Sequence, residues 1–291
     1  MSFISGFLSE NHYIFVLSIP FSVKLDSITK LEQLKNDIEE MKSVAIAYSG
    51  GVDSTFLLKV AHDVLGENAI AVTATSSTYP GRELEQAKQF TKSIGIKHVI
   101  INSEETEIDN FSKNPNNRFY YCKKELFSKI KQIANEKHFN YVLDGSNVDD
   151  ATDYRPGTKA MNELGVVSPL RDVGLTKKEI RELSQEMNLD TWDKPAFACL
   201  ASRFPYGVKI TKSRLEQVEK AESFLHSLRV KQFRVRYHNE IAKIEVLKDD
   251  FQTILNHSDE IIKRFKELGF KYVTLDIEGY RMGSMNEVLK Q

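Results

Sequence analysis

"VAIAYSGGVDSTFLLKV", residues 44–60, carries two kinds of order on either side of a break. Residues 43–48 are apolar and β-rich, which predicts a short buried strand. Residues 54–65 set Phe56, Leu57, Val60, Ala61, Val64 and Leu65 at helical spacing, with Gly66 as the stop. Between them stands "SGGVDS". Gly50 and Gly51 let the chain turn tightly, and with no Cβ in the way the backbone N–H groups of this loop can approach an anion. Ser49 and Ser54 add hydroxyl donors, and the start of the following helix adds partial positive charge. The full hexapeptide after a strand reads as a phosphate site rather than as a Ser- or Asp-capped helix with glycines only for turning, but neither the dinucleotide fingerprint G-x-G-x-x-G nor the ATPase loop G-x-x-x-x-G-K-[ST] is matched, since no lysine fills the required place. A loop with donors and no lysine suits a departing pyrophosphate, neutralised by Mg2+ and by basic residues further away.

Outward from this stretch the alternation continues. Strands are predicted at 69–75, 98–101 and 141–144, and helices at 82–94, 121–137 and 176–187. A capped amphipathic helix at 27–41, with Leu31, Leu34 and Ile38 on one face, precedes them. Strands alternating with helices imply an α/β fold, a parallel sheet with helices on both faces. Ligands collect at the carboxyl ends of such strands, so the chemistry is expected in the loops after residues 48, 75, 102 and 144.

The tail follows a different pattern. A helix at 213–228 is followed by the alternating strands "QFRVRYH" and "IAKIEVL", one long helix at 251–268, and the strand "KYVTLDIEG". That order makes a smaller α+β unit. The irregular stretch 189–211 holds the boundary, giving a first domain at 27–200 and a C-terminal domain at 201–291. Residues 1–26 are an extension of unclear role. Glu10, Asn11 and His12 interrupt its apolar patches, so it reads neither as a signal peptide nor as a membrane span.

Composition narrows the function classes. With 41% hydrophobic and 28% charged residues among 291, the chain is an ordinary globular protein. A net charge of −1 argues against a broad nucleic-acid surface. Two cysteines cannot form a disulfide scaffold and read as free thiols of a reducing cytoplasm.

"SGGVDS" resembles the PP-loop of the ATP pyrophosphatase superfamily, whose members split ATP to AMP and pyrophosphate to adenylate a substrate. "TATSSTYPGRELEQA", "NRFYYCKKELF", "DGSNVDDATDYRPG", "SPLRDVGLTKKEIR", "KPAFACLASRFPYG" and "EGYRMGSMN" together resemble the LarE-type sulfur transferases, from about Ser27 to the C-terminus. The resemblance implies ATP and Mg2+ as cofactors and a pyridinium-3,5-biscarboxylic acid mononucleotide as substrate. One carboxylate is adenylated, a cysteine attacks it, and cleavage of the Cβ–S bond leaves a thiocarboxylate and dehydroalanine. The product serves the nickel-pincer nucleotide cofactor of lactate racemase. A homo-oligomer is also implied.

On that footing Ser49, Gly50, Gly51, Val52, Asp53 and Ser54 are expected to hold the β and γ phosphates. Asp53 either helps place Mg2+ or caps the helix. Thr75 and Ser76 are placed to meet adenosine, and Gly145, Ser146 and Asn147 the α-phosphate side. Cys199 is the expected sulfur donor, with Arg203 as the cation that lowers its pKa from about 8.5. Glu222 resembles a family acidic residue near the reacting centre. The strand period puts Arg234 and Arg236 on one face, a fork for phosphate, and Arg281 is a third candidate.

Cys122 opens a helix and is the rival thiol. Some family members carry two cysteines in the "FYYC" region and a three-cysteine cluster site; here Phe119 stands at the first of those positions. That departure favours consumption of Cys199, while a persulfide relay between Cys122 and Cys199 stays open. Among other classes, an amidating enzyme such as NAD synthetase would need no cysteine. A tRNA thiolase would be expected to show a broad basic surface or an RNA-binding module, and a nucleotide-binding module without activity leaves the Cys199 loop unexplained.

Overall fold

A computed structural model describes residues 21–152, 156–195 and 198–289. Residues 1–20 of the extension, and Ala196 and Phe197 beside Cys199, lie outside that description. The first unit runs α1 (Phe21–Met41), β1 (Val44–Ala47), α2 (Val52–Leu65), β2 (Ala69–Thr75), α3 (Gly81–Ser93), β3 (Lys97–Asn102), α4 (Asp109–Ser112), α5 (Arg118–Glu136), β4 (Tyr141–Leu143), α6 (Pro156–Glu163), α7 (Pro169–Asp172) and α8 (Lys177–Glu186). The second runs α9 (Lys212–Ser227), β5 (Phe233–His238), β6 (Ile241–Val246), α10 (Phe251–Asn256), α11 (Ser258–Glu267) and β7 (Tyr272–Leu275).

The first sheet is parallel, in the order β3-β2-β1-β4. Its central strands β1 and β2 are short apolar runs because both their faces are covered, whereas the edge strand β3 is partly exposed. Val44, Ile46, Ala69, Ala71 and Leu143 pack with α1, α2 and α8 on one side. Ala45, Ile70, Val72 and Val142 pack with Phe127, Ile130 and Met161 on the other. That alternation is the two-residue period of a strand. The expected fold class is therefore the observed one.

The second sheet is mixed, β5 antiparallel to β6 and β6 parallel to β7. Its core gathers Leu215, Val218, Phe233, Val235, Ile244 and Phe265, and also takes in Phe111 and Leu200 from earlier in the chain. Cys122 and Cys199 pack against this core, so the segment carrying Cys199 is held by both units.

The structure departs from the sequence reading at several places: α4 and α7 are short helices that it did not expect, and α5 starts at Arg118 rather than at residue 121. The first helix starts at Phe21, so residues 21–26 belong to it rather than to the extension. The long C-terminal helix is two helices, broken at His257, whose backbone leaves helical geometry at φ −107° and ψ 19°. α6 is an additional helix, in a segment whose opening Pro156 and Gly157 read as breakers.

Candidate functional site

β1 lies between β2 and β4, so the loops at their carboxyl ends come together. In the PP-loop Gly50 takes a positive φ of 69°, which an L side chain adopts only with strain. Ser49 and Ser54 hydroxyls lie 3.1 Å apart, Ser54 Oγ donates to Gly51 O, and Thr55 N–H donates to Gly51 O at 2.9 Å. Gly51 caps α2 without a side-chain bond, and Val52 starts the helix. The Tyr79 hydroxyl, from the loop after β2, donates to Ser49 O at 2.8 Å. From the loop after β4, Gly145 packs directly on the backbone of Ser54.

Asp53 does not turn back to cap α2. Its carboxylate accepts from Asn147 Nδ2 at 3.2 Å and from Lys177 Nζ at 2.5 Å. Thr75 and Ser76 lie at the end of β2, but Thr75 Oγ1 donates to Ile101 O and Ser76 Oγ pairs with Thr78 Oγ1. Ser146 Oγ donates to the buried Asp144. Two basic residues that the sequence reading did not single out reach this loop: Lys177, and Lys194, whose Nζ donates to Gly50 O at 3.0 Å and pairs with Glu83. They are the more distant cations that a loop without its own lysine requires, and only their place in space reveals it. One carboxylate, Asp53, fits a Mg2+ that arrives on a triphosphate and keeps its waters.

Around the sulfur, Cys199 precedes a short turn, and Leu200 N–H donates to Thr78 O at 2.9 Å. Both cysteines are free and half-buried. Burial pushes the Cys199 thiol up, nearby Glu105 adds to that, and hydrogen bonding with Thr78 and Ala201 N–H and the charge of Arg118 oppose it. Cys122 is pushed up by the same burial and by Glu105 and Cys199, despite its place near the start of α5. Glu105 is buried, accepts from Thr78 Oγ1 at 3.2 Å, and is itself held above the usual carboxylate range by burial. Sequence gave no signal for it.

Arg203 does not serve the thiol as expected. Its Nε and Nη2 donate to Glu222 at 2.8 and 2.9 Å, and Nη1 donates to the carbonyl oxygens of Ala198 and Cys199 and to Ser202 Oγ. The guanidinium is engaged by Glu222 and by the loop's carbonyl oxygens, while the charge of Arg118 opposes the rise at the Cys199 thiol. Glu222 is held below the usual range by Arg203 despite its burial, and it also accepts from Val235 N–H.

A cleft of about 360 Å³ opens between the two units, lined by Arg118, Phe119, Ala198, Ser202, Arg234 and Arg236 among others. Arg234 and Arg236 share one strand face, while Phe233, Val235 and Tyr237 on the other enter the core. Arg236 pairs with Glu245 and donates to Ser202 O; the Arg234 guanidinium lies over Tyr280. Arg281 also lines the cleft but is paired with Glu278 and Glu287. Cys199 itself does not line the cleft; its neighbours Ala198 and Ser202 do. Among the described residues no group of three or more His, Cys, Asp or Glu is arranged to hold a metal, and no helix is long and apolar enough to cross a membrane.

Comparison with known proteins adds relatives to this geometry. The NAD synthase family matches residues 27–192. An uncharacterized protein of Synechocystis sp. is 45% identical, across 90% of this chain and 98% of its own. The pyridinium-3,5-bisthiocarboxylic acid mononucleotide synthase of Lactiplantibacillus plantarum is 38% identical, across 90% of this chain and 95% of its own. An uncharacterized protein of Methanocaldococcus jannaschii is 33% identical, across 87% and 98%.

Proposed function

This chain belongs to the LarE-type family of PP-loop ATP pyrophosphatases, and from that premise we propose that it is an ATP-dependent sulfur transferase acting on a carboxylate of pyridinium-3,5-biscarboxylic acid mononucleotide, with Cys199 as the sulfur source. The observation that carries this reading is the Cys199 loop. It is tied to the nucleotide-side loop through Thr78, fixed by Arg203, and flanked by residues that open onto an arginine-lined cleft.

A carboxylate becomes electrophilic once its oxygen is attached to AMP. The N–H and hydroxyl groups of residues 49–54 take the charge that grows on the departing pyrophosphate, helped by Lys177 and Lys194. Mg2+ bound with ATP would meet Asp53, which must then give up Lys177, and would supply further charge neutralisation. Arg234 and Arg236 receive the mononucleotide phosphate.

With the loop backbone held, rotation about the Cys199 Cα–Cβ bond turns the thiol toward the cleft. Glu105 accepts its proton through Thr78, sulfur attacks the acyl carbon, and AMP leaves with its bonding pair. Water in the open cleft takes the Cys199 Cα proton, the C–H pair forms the Cα=Cβ bond and the Cβ–S pair moves onto sulfur, leaving thiocarboxylate on the product and dehydroalanine in the chain. With Phe119 in one of the cluster positions, consumption of Cys199 is the route these residues suit. Free thiols suit a reducing cytoplasm, the product suits nickel-pincer assembly for lactate racemase, and the family implies a homo-oligomer, which sedimentation measures.

Intact-mass measurement after incubation with ATP, Mg2+ and the pyridinium dicarboxylate mononucleotide tests the reading. The expected result is loss of one hydrogen sulfide, mapped to Cys199. Product formed with an unchanged protein mass overturns it. Amidation, the chemistry suggested by the match to the NAD synthase family, makes the opposite forecast: Cys199→Ala stays fully active.

A further inference from the structure

Arg118, the first residue of α5, is only 2% exposed and faces the arginine-lined cleft. Its guanidinium carbon lies 4.8 Å from the Phe119 ring centre and 5.2 Å from that of Tyr206. Nη1 donates to Asn114 Oδ1. Asn114 is itself fully buried, and its Nδ2 is held by the carbonyl oxygens of Phe204, Pro205 and Val208. The acceptor is therefore fixed, and it holds the guanidinium in one orientation. Nε is buried and has no hydrogen-bond partner among the described residues.

Three other arginines of the site provide the contrast. Arg203 has Glu222, Arg236 has Glu245, and Arg281 has Glu278 and Glu287. Arg118 has no carboxylate within ion-pair distance among the described residues, only a neutral amide. A buried charge without a counter-charge is costly, and a guanidinium cannot escape by losing its proton at ordinary pH. The two thiols nearby do not supply the missing charge, since burial keeps both protonated at rest.

We propose that Arg118 is the carboxylate receptor of this cleft, holding a ring carboxylate of an aromatic mononucleotide whose phosphate lies at Arg234 and Arg236. The proposal deepens the sulfur-transferase reading and rests on it for the ligand class. A guanidinium matches a carboxylate through two parallel N–H bonds, and the Phe119 and Tyr206 rings form an apolar wall suited to a flat ring. Placed there, a carboxylate lies beside the residues that flank Cys199. Arg118 thus selects acids over their neutral amides and orients the ligand relative to the thiol.

The test uses the full chain without ATP and two probes that differ in one group: nicotinate mononucleotide and nicotinamide mononucleotide. Calorimetry should give wild type a preference of about tenfold or more for the acid. Arg118→Gln should erase that preference by weakening only the acid, and Arg118→Lys should keep part of it. Equal affinity for both probes in wild type overturns the proposal whether or not the variants fold, and so does a preference that survives Arg118→Gln. Neither ATP nor sulfur loss enters this measurement, so it can fail while the hydrogen sulfide loss stands, or succeed while that loss is absent.

Discussion

Arg203 and Glu222 face each other in a two-point ion pair, Nε to Oε1 at 2.8 Å and Nη2 to Oε2 at 2.9 Å, with both side chains almost wholly withdrawn from water. The same guanidinium holds the carbonyl oxygens of Ala198 and Cys199, so one buried pair joins α9 to the loop that bears the thiol. Glu222→Gln leaves a buried cation short of its partner and should cost about 3–5 kcal/mol in urea unfolding. Replacing both residues by apolar ones of similar size should return much of that loss. A single variant as stable as wild type would show that the pair is not holding the loop.

Glu105 sets a pH dependence of definite sign. Burial raises its folded pKa above the unfolded value, so its contribution to stability is full below the unfolded carboxylate range and is lost as pH rises through the folded pKa. Wild type should therefore lose ground to Glu105→Gln as pH rises above the ordinary carboxylate range in urea titrations. A stability difference that does not change with pH would remove the buried-carboxylate account. In sulfur transfer the same variant should react more slowly, and it should lack the acid limb that Glu105 ionisation gives to wild type.

Gly145 is set by contact. A Cβ there would stand 3.0 Å from Ser54 N and 3.2 Å from Ser54 Cα, against backbone that cannot swing aside. Gly145→Ala should push the loop after β4 away from the PP-loop and weaken ATP binding by about tenfold, a shift of roughly 1.4 kcal/mol. Circular dichroism should still show a folded protein. Unchanged ATP affinity in calorimetry would mean that the two loops do not share the nucleotide.

Much of the fold was legible because burial on both faces writes itself into strand composition. The residues 69–75 read as a strand are the ones observed as β2. α6 was not legible, since its Pro156 and Gly157 look like turn residues. In the structure a Cβ on Gly157 would meet Lys123 Cγ at 2.8 Å, so the glycine is there to let α6 cross close to α5. In the site, the sequence placed Arg203 near Cys199 but not its guanidinium, whose partner Glu222 lies on a helix beyond the loop. Arg118, Lys177 and Lys194 lie within motif stretches that gave them no role, and Glu105 lies outside all of them.

The order of strands and helices, the nucleotide loop after β1, and the candidate thiol are properties of neighbouring residues, and period and spacing express them directly. Which charge faces which is a property of the packed chain. Asp53 meets Lys177, Glu105 lies beside two thiols, and Arg118 has no carboxylate partner among the described residues, because folding brings distant segments into one low-dielectric space where charges far apart in sequence face one another.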